Sequence, residues 1–328
     1  MYERIKNKLK YHSILKLGEM VVMIESNQPL LEMKMFSEQM ILSKVKKIDW
    51  KIVLFYCRVD SDLYKKSIQK KSSVRNSYFN RGYYVCDHFG KPINMLIQGN
   101  QMIIFGESFE RILWSYVVKY LMQLWAIENN AIFVKCAAFE LNGEATLLMG
   151  RGGSGKTVIN TCVCKDKGNF ITNSNAFIKD RKVLGIGSNI RIRDNDCYKC
   201  LLQSNEQKNG LAEGEMLINP YKEFHCCCDK WYSVKNIIMV NYISGNCQLR
   251  KVSSNECLSY AEEFMLGINV YRLEEDILDY CESDCLKFIK YYNEMKQELK
   301  NCIEKSQCYY ADIDILDTNV RKKLFKEL

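Results

Sequence analysis

Short alternating apolar runs dominate the first third of the chain and predict a β-rich region. Residues 14–25 alternate loosely between apolar and polar side chains, which is typical of an edge strand. Apolar runs at residues 49–59, 82–86, 93–97 and 101–105 are separated by turn-forming residues, and each predicts further strand. We therefore expect a mostly antiparallel β region over residues 1–105.

The apolar period changes at residues 109–129. Side chains recurring every three or four positions predict an amphipathic helix packed against a core: Ile112, Leu113, Tyr116, Val117, Tyr120, Leu121 and Leu124. Two strands are predicted next, at residues 131–141 and 144–149. Asn142 and Gly143 join them as a hairpin, because both positions of such a turn need positive φ. The hairpin leads directly into a glycine-rich segment.

The rest of the chain predicts a mixture of strands and helices. Four more strands are predicted from short apolar runs: 169–178, 190–193, 234–240 and 247–252. The fourth of these is expected to pair back onto the third. Ser253, with Glu256 three positions later, predicts a capped helix, and a helical period returns over the last ~60 residues. The predicted regions are 1–105, 106–270 and 271–328, the last a helical extension.

The glycine-rich segment carries a specific chemical signature. Its residues are Gly150, Arg151, Gly152, Gly153, Ser154, Gly155, Lys156 and Thr157. This is the G-x-x-x-x-G-K-[ST] spacing of a phosphate-binding loop, set between a strand and a helix. Glycines let backbone N–H groups face one phosphate, Lys156 neutralises the outer phosphates, and the Thr157 hydroxyl binds Mg²⁺. The predicted ligand is ATP or GTP with Mg²⁺.

Composition narrows the class of protein further. With 328 residues and 47% hydrophobic residues, the chain has core enough for two domains. The net charge of +8 suits a phosphorylated ligand, but no motif supports a nucleic-acid partner. No apolar run reaches the ~18 residues of a membrane span, and no apolar segment typical of a secretion signal follows the basic N terminus. We therefore expect a cytoplasmic protein with reduced thiols.

The cysteines leave a second interpretation open. Cys197 and Cys200 have the spacing of a zinc knuckle, and His225 begins a His-Cys-Cys-Cys run downstream. Four such ligands would form a structural zinc site. Adjacent residues of a strand point to opposite faces, so only part of the second run can converge on one ion. A metal-binding accessory protein is therefore an alternative to the nucleotide-binding interpretation.

Two stretches resemble a known family. Residues 135–157, KCAAFELNGEATLLMGRGGSGKT, and 168–180, GNFITNSNAFIKD, resemble the C-terminal catalytic domain of the HPr kinase/phosphorylase family, and more closely the HPr-kinase-related serine kinases of peptide-modification clusters. Weaker similarity extends over residues 16–33 and 233–265. The resemblance implies a P-loop-containing, phosphoenolpyruvate-carboxykinase-like fold with a mixed sheet. It also implies phosphoryl transfer to a Ser/Thr hydroxyl of a peptide or small molecule, and a homo-oligomer.

The chain departs from that family at its catalytic positions. Lys135 stands where the family has His, and Asn173 and Ser174 stand where it has the Asp-Asp pair that holds Mg²⁺ and accepts the hydroxyl proton. Because an Asn side chain cannot accept a proton, the chemistry expected of the family is impaired. The alternative is a catalytically degenerate relative that acts as a binding or regulatory partner in a peptide-modification pathway.

Four charged residues are candidates for the site, and each also has a possible structural role. Glu140 and Asp180 are candidate replacement acids, although a solvated strand face and a turn favour structural roles for them. Arg191 and Arg193 lie two apart on a predicted strand, so both point to one face. That pair is a candidate substrate-phosphate or carboxylate site, and an exposed strand face is the alternative.

Overall fold

The chain forms two compact units, Met1–Leu121 and Met122–Leu328. The structure is a computed structural model, and it describes the following residues: 1–30, 33–58, 70–71, 76–79, 82–85, 93–193, 208–209, 215–245, 247–314, 317 and 319–320. The division differs from the expected boundaries after residues 105 and 270. The expected C-terminal extension contributes a strand to the sheet of the second unit, so it is not a separate region.

A mixed sheet, nine-stranded within the described residues, builds the first unit. Its strands are β1 (Tyr11–Leu17), β2 (Met20–Ser26), β3 (Ile41–Leu42), β4 (Trp50–Tyr56), β5 (Lys70–Lys71), β6 (Asn76–Phe79), β7 (Gly82–Val85), β8 (Ile93–Gln98) and β9 (Gln101–Gly106). The order is β3-β1-β2-β4-β9-β8-β7-β6-β5. Only the β2–β4 and β4–β9 pairs of these strands are parallel, which confirms the mostly antiparallel region. Short helical turns flank the strands: α1 (Tyr2–Ile5), Lys6–Lys8, Met33–Met35 and Glu38–Met40.

The single edge strand expected at residues 14–25 is wrong. Gly18, at φ 66°, turns the chain so that β1 and β2 form an antiparallel hairpin. β2 lies between β1 and β4 rather than at the edge. Its alternate residues Met20, Val22 and Ile24 are fully buried. Apolar and polar residues do alternate over this segment, but a turn at Gly18 divides the segment into two strands.

The predicted amphipathic helix is confirmed as α2. It consists of Glu110–Ile112, a π-helical turn at Leu113–Val117, and Val118–Glu128. The predicted stripe is buried, with Tyr116 and Tyr120 fully inaccessible to solvent. Across the described segments, no helix combines the length and the apolar composition needed to cross a membrane.

A second mixed sheet organises the Met122–Leu328 unit. The strands of this unit are β10 (Ile132–Val134), β11 (Ala137–Leu141), β12 (Glu144–Met149), β13 (Asn169–Thr172), β14 (Ala176–Lys179), β15 (Lys182–Gly185), β16 (Ile190–Arg193), β17 (Lys208–Asn209), β18 (Glu215–Ile218), β19 (Tyr232–Tyr242), β20 (Cys247–Lys251) and β21 (Gln307–Ile313). The sheet runs β10-β14-β15-β19-β12-β11-β13, and β21 pairs with both β19 and β20. The strands β16-β18-β17 form a separate small sheet.

Helices connect these strands. They are α3 (Lys156–Asp166), α4 (Pro220–Glu223), α5 (Ser254–Phe264), α6 (Gly267–Val270), α7 (Glu274–Tyr280) and α8 (Cys285–Glu304). The capping box at Ser253 and Glu256 is confirmed at the start of α5, with both reciprocal hydrogen bonds present. The Asn142-Gly143 hairpin is also confirmed, since φ is 56° and 87° at the two positions.

Strand direction brings several chain ends to one edge of the second sheet. β12 is parallel to β19, and β19 is parallel to β21. β11 is antiparallel to both β12 and β13. The carboxyl ends of β12, β13, β19 and β21 therefore share an edge with the amino end of β11. We call this edge, with the loop at 150–157, the loop edge.

Three strand predictions for this unit are corrected. Residues 131–141 are two strands, because β10 pairs with β14 whereas β11 pairs with β12. Residues 169–178 are also two strands, broken at 173–175. Residues 247–252 pair with β21 rather than with β19, and β21 itself follows a helix where only helix and tail were expected. The β10–β14 and β20–β21 pairs join strands that lie far apart in sequence.

Gly185 provides a test of how β15 packs over β13. A Cβ atom built on Gly185 would overlap the carbonyl oxygen of Ile171. We expect Gly185→Ala to lower the free energy of unfolding by about 1–3 kcal/mol, because the two strands would have to separate. Chemical denaturation measures this change. In Gly152→Ala, whose Cβ would meet no atom within 4 Å, stability should stay the same, and equal losses in both variants would contradict this packing.

Candidate functional site

The loop at the end of β12 has the backbone geometry of a phosphate cradle. Gly150, Gly153 and Gly155 adopt positive φ of 154°, 82° and 90°. A Cβ on Gly150 would lie 2.8 Å from the carbonyl oxygen of Val240 and 2.6 Å from Ser154 Oγ. Side chains at these positions would strain or block the loop, so glycine is required for its curvature.

The loop leads directly into the N terminus of α3. Gly155 is the N-cap residue, and Lys156 and Thr157 are the first helical residues. Glycine has no side chain to cap the first N–H groups, so these donors and the positive end of the helix dipole remain available to an anion. The strand-loop-helix arrangement expected from the motif is therefore present around residues 150–157.

The Lys156 ammonium lies over the loop backbone. Its Nζ donates hydrogen bonds to the carbonyl oxygens of Gly150 and Arg151, both at 2.7 Å, and to Ser154 Oγ at 3.3 Å. Burial lowers the pKa of Lys156 to about 8, and the nearby positive charge of Lys135 adds to this effect. A negatively charged ligand at the loop would favour the ammonium form.

Lys135 lies in the short gap between strands β10 and β11, where its charge acts on Lys156. Its backbone N–H donates to the carbonyl of Met265 at 2.7 Å, and its Nζ lies 5.9 Å from the centre of the Tyr271 ring. Burial lowers the pKa of Lys135, and the charge of Arg191 contributes further. Three cationic side chains therefore act on one another at the loop edge.

The bend between β13 and β14 places an amide beside the predicted metal ligand. Asn173 Nδ2 donates to Thr157 Oγ1 at 3.2 Å. Asn173 Oδ1 is buried and has no hydrogen-bond partner among the described residues. Ser174 Oγ accepts from Asn175 Nδ2 at 2.9 Å, and the Tyr271 hydroxyl donates to Asn175 Oδ1 at 2.7 Å. Ser174 thus supports the bend, while Asn173 faces the loop.

The oxygens at this bend fit a magnesium ion that arrives with a phosphate ligand. Thr157 Oγ1 and the unpartnered Asn173 Oδ1 are neutral oxygen donors of the kind Mg²⁺ accepts. Mg²⁺ commonly takes its remaining ligands from water and phosphate. Within the described ranges, no three His, Cys, Asp or Glu residues are placed to hold a metal on their own.

A cavity of about 500 Å³ opens beside the loop. Its lining comprises Gly152, Gly153, Ser154, Gly155, Lys156, Thr157, Val158, Arg191, Ile192 and Glu215. Arg191, expected to face a substrate, does reach this cavity, and its Nε lies 3.5 Å from Glu215 Oε1. The backbone of Arg193 pairs with that of Glu215, but its side chain lies outside the described part of the structure.

Sequence reasoning missed Glu215. The only signal in the sequence is an acidic residue directly before the apolar run of β18, which equally marks a solvated strand end. Its placement beside the loop depends on the pairing of β16 with β18. That pairing joins residues about two dozen positions apart, so a local pattern could not reveal it.

The two expected replacement acids have structural roles away from the loop. Glu140 accepts from the backbone N–H of Gly143 and from Asn169 Nδ2, at the end of the β11–β12 hairpin opposite the loop. Asp180 adopts φ 50° in the β14–β15 turn, which lies near the amino end of β19. The turn role expected for Asp180 agrees with this position, whereas the solvated strand face expected for Glu140 is wrong, since Glu140 is buried and hydrogen-bonded.

The His-Cys-Cys-Cys run packs along β13. The backbone N–H of Phe170 donates to the His225 carbonyl, and that of Cys227 donates to the Phe170 carbonyl. Cys228 is buried, with its Sγ 3.9 Å from the carbonyl oxygen of Phe170. The run forms no metal-binding group with other described residues. Cys197 and Cys200, the other half of the zinc hypothesis, lie outside the described residues.

Neither a search of protein-family models nor a search of curated proteins finds a match for this chain.

The lowered pKa of Lys156 predicts proton uptake when a polyphosphate binds. At pH 8 the side chain is about half protonated, because burial brings its pKa to about 8. A bound polyphosphate raises this pKa, so we expect Mg-ATP binding at pH 8 to take up about half a proton. Affinity should fall as pH rises above 8, since the neutral lysine must then be protonated on binding. Calorimetric titration in buffers of different ionisation enthalpy measures the uptake.

Lys156→Arg is the matched variant for this experiment. Arginine keeps the positive charge but does not titrate near pH 8, so the uptake assigned to Lys156 should disappear. Any residual uptake belongs to Lys135, whose pKa burial also lowers. Proton uptake that is unchanged in the arginine variant would show that Lys156 is not the group that titrates.

Asn173→Asp tests whether a metal ion binds beside Thr157. A carboxylate is a better Mg²⁺ ligand than an amide, but it repels a phosphate that carries no metal. We expect the affinity for Mg-ATP, relative to metal-free ATP, to rise about 10-fold. Titrations with Mg²⁺ and with a chelator give this ratio. Asn130→Asp, at the exposed turn before β10, should leave the ratio unchanged, and equal effects in both variants would contradict the assignment.

Proposed function

We propose that this chain binds the phosphates of Mg²⁺-bound ATP or GTP at residues 150–157. We further propose that it transfers the outer phosphate to a Ser/Thr hydroxyl of a peptide or small molecule. The observation that carries the proposal is the curved loop at the end of β12, which continues into α3 with Lys156 and Thr157 as its first residues. Among known protein ligands, nucleotide phosphates match this combination best.

The charges around the loop support an anionic ligand with several phosphates. Lys135 and Lys156 are both partly buried, which lowers their pKa values. The charge of Lys135 further lowers the pKa of Lys156, and the charge of Arg191 further lowers the pKa of Lys135. Neither makes an ion pair with any described carboxylate. Bringing two ammonium groups together away from water is unfavourable unless an anion compensates for them. A triphosphate supplies that compensation.

The residues at the loop edge would position the transfer rather than react covalently. Phosphoryl transfer depends mainly on alignment and on stabilising charge at the phosphate oxygens. The loop N–H groups and Lys156 would hold the phosphates, while Thr157 and Asn173 would hold Mg²⁺, which neutralises phosphate charge when bound. Asn173 cannot accept the acceptor proton, and loss of a positioned base typically slows such reactions ~10²–10⁴-fold.

A binding or regulatory protein without transferase activity is the second candidate function. The observation that favours it is the Asn173 amide, which donates to Thr157 Oγ1 where a kinase of the resembled family would present a carboxylate. This alternative shares the phosphate-binding loop and differs only in the absence of transfer. Binding measurements test both candidates, whereas transfer measurements separate them.

Calorimetric titration of Mg-ATP and Mg-GTP into the wild type and Lys156→Ala tests the proposed ligand. We expect micromolar dissociation constants for the wild type and a 10- to 100-fold loss in the variant. The size of the loss follows from the ~1.5–3 kcal/mol typical of a charge-assisted hydrogen bond. The variant must retain the wild-type thermal midpoint for the comparison to count.

Lys235→Ala is the matched control for the lysine substitution. Lys235 pairs with Glu144 at 3.0 Å, at the end of β12 remote from the loop, so its removal should not change nucleotide affinity. Absence of binding to folded wild type would overturn the proposed function. An equal loss in both lysine variants would instead indicate nonspecific attraction by positive charge.

A further inference from the structure

Glu215 is the one carboxylate among the described residues that line the cavity beside the loop. It begins β18, in the small sheet that forms the wall facing residues 152–158. About one fifth of its side chain, 19%, is exposed. The cavity therefore presents a carboxylate to the same space as the two residues expected to hold the phosphate and the metal, Lys156 and Thr157.

The two carboxylate oxygens of Glu215 differ in their surroundings. Oε1 lies 3.5 Å from Arg191 Nε, whereas Oε2 is buried and has no hydrogen-bond partner among the described residues. Buried carboxylate oxygens in folded proteins are normally paired, because an unpaired one is unfavourable. Glu215 nevertheless lines the cavity and keeps part of its side chain exposed, so its carboxylate is within reach of a ligand bound there.

Arg191 holds the carboxylate in place from the neighbouring strand. In the β16–β18 register, Arg191 is opposite Leu217, so Glu215 is its diagonal neighbour on the same face. The positive charge of Arg191 also acts on Lys135, since it contributes to the lowered pKa of that lysine. The guanidinium thus links the carboxylate to the cationic group at the loop edge.

We propose that Glu215 is the general base that accepts the proton of the acceptor hydroxyl, a role that rests on the proposed phosphate-binding function. The acceptor O–H bond breaks, and its proton passes to the Glu215 carboxylate. The acceptor oxygen forms a bond to the γ-phosphorus of the nucleotide. The bond from that phosphorus to the β,γ-bridging oxygen breaks, and its electron pair leaves with the nucleoside diphosphate. Glu215 thereby supplies the carboxylate that Asn173 lacks.

The experiment compares wild type with Glu215→Gln, which keeps the shape of the side chain but cannot accept the proton. Two measurements are made on each: the dissociation constant of Mg-ATP by calorimetry, and phosphoryl transfer from γ-labelled Mg-ATP to water and to free L-serine. We expect kcat to fall ~10²–10⁴-fold and Mg-ATP affinity to change less than about 2-fold. Glu144→Gln removes a carboxylate from a surface ion pair at the end of β12 remote from the loop and should change neither quantity.

Glu215→Asp keeps the test decisive if the glutamine variant does not fold. This variant retains a carboxylate on a shorter side chain, so it should transfer phosphate more slowly than wild type but at a measurable rate. Where Glu215→Gln folds, Glu215→Asp should be the faster of the two variants. Thermal midpoints report whether each variant is folded. A folded Glu215→Gln that transfers at the wild-type rate would show that the carboxylate only pairs with Arg191 across the two strands.

The outcomes separate this inference from the proposed function. Wild type that binds Mg-ATP through Lys156 but transfers to neither probe overturns the role of Glu215 and leaves nucleotide binding intact. A loss of Mg²⁺-dependent affinity in Glu215→Gln would assign the carboxylate to the metal instead of the proton, and would also overturn the inference. Wild type that does not bind Mg-ATP removes the proposed function itself.

Discussion

The register of β11 between β12 and β13 is the constraint on which the candidate site depends. Because β11 is antiparallel to both neighbours, its amino end meets their carboxyl ends at the loop edge. Lys135 precedes β11, the loop follows β12, and Asn173 follows β13. A shift of this register would separate the loop from the amide and from the second lysine, so the geometry of the sheet decides which side chains can share a ligand.

The site is built at a cost to the folded chain. Lys156 is held close to its own loop carbonyls with a pKa near 8, and Asn173 Oδ1 and Glu215 Oε2 are buried without partners among the described residues. Features of this kind are unfavourable in a purely structural region and cluster where proteins bind ligands. Here Lys156 and Glu215 line the same cavity and Asn173 contacts Thr157 of the loop, so the three features lie around one loop.

The small sheet changes how the departures from the resembled family are understood. With Asn173 at the bend, the loop alone would be a binding site without a proton acceptor. The β16–β18 pair adds Arg191 and Glu215 to the wall of the cavity, at positions unrelated to the expected Asp-Asp pair. The candidate site therefore draws its side chains from two separate sheets, and the carboxylate comes from the smaller one.

Local features of this protein were determined by the sequence itself. The glycine-rich loop at 150–157, the Asn142-Gly143 turn and the Ser253 capping box follow from residues within a few positions of one another, where backbone sterics and neighbouring hydrogen bonds decide the conformation. Only the tertiary structure decided the breaks before β11 and after β13, the addition of β21 and the placement of Glu215. Each of these depends on pairing between distant strands, which apolar periodicity along one strand cannot specify because it carries no information about the partner.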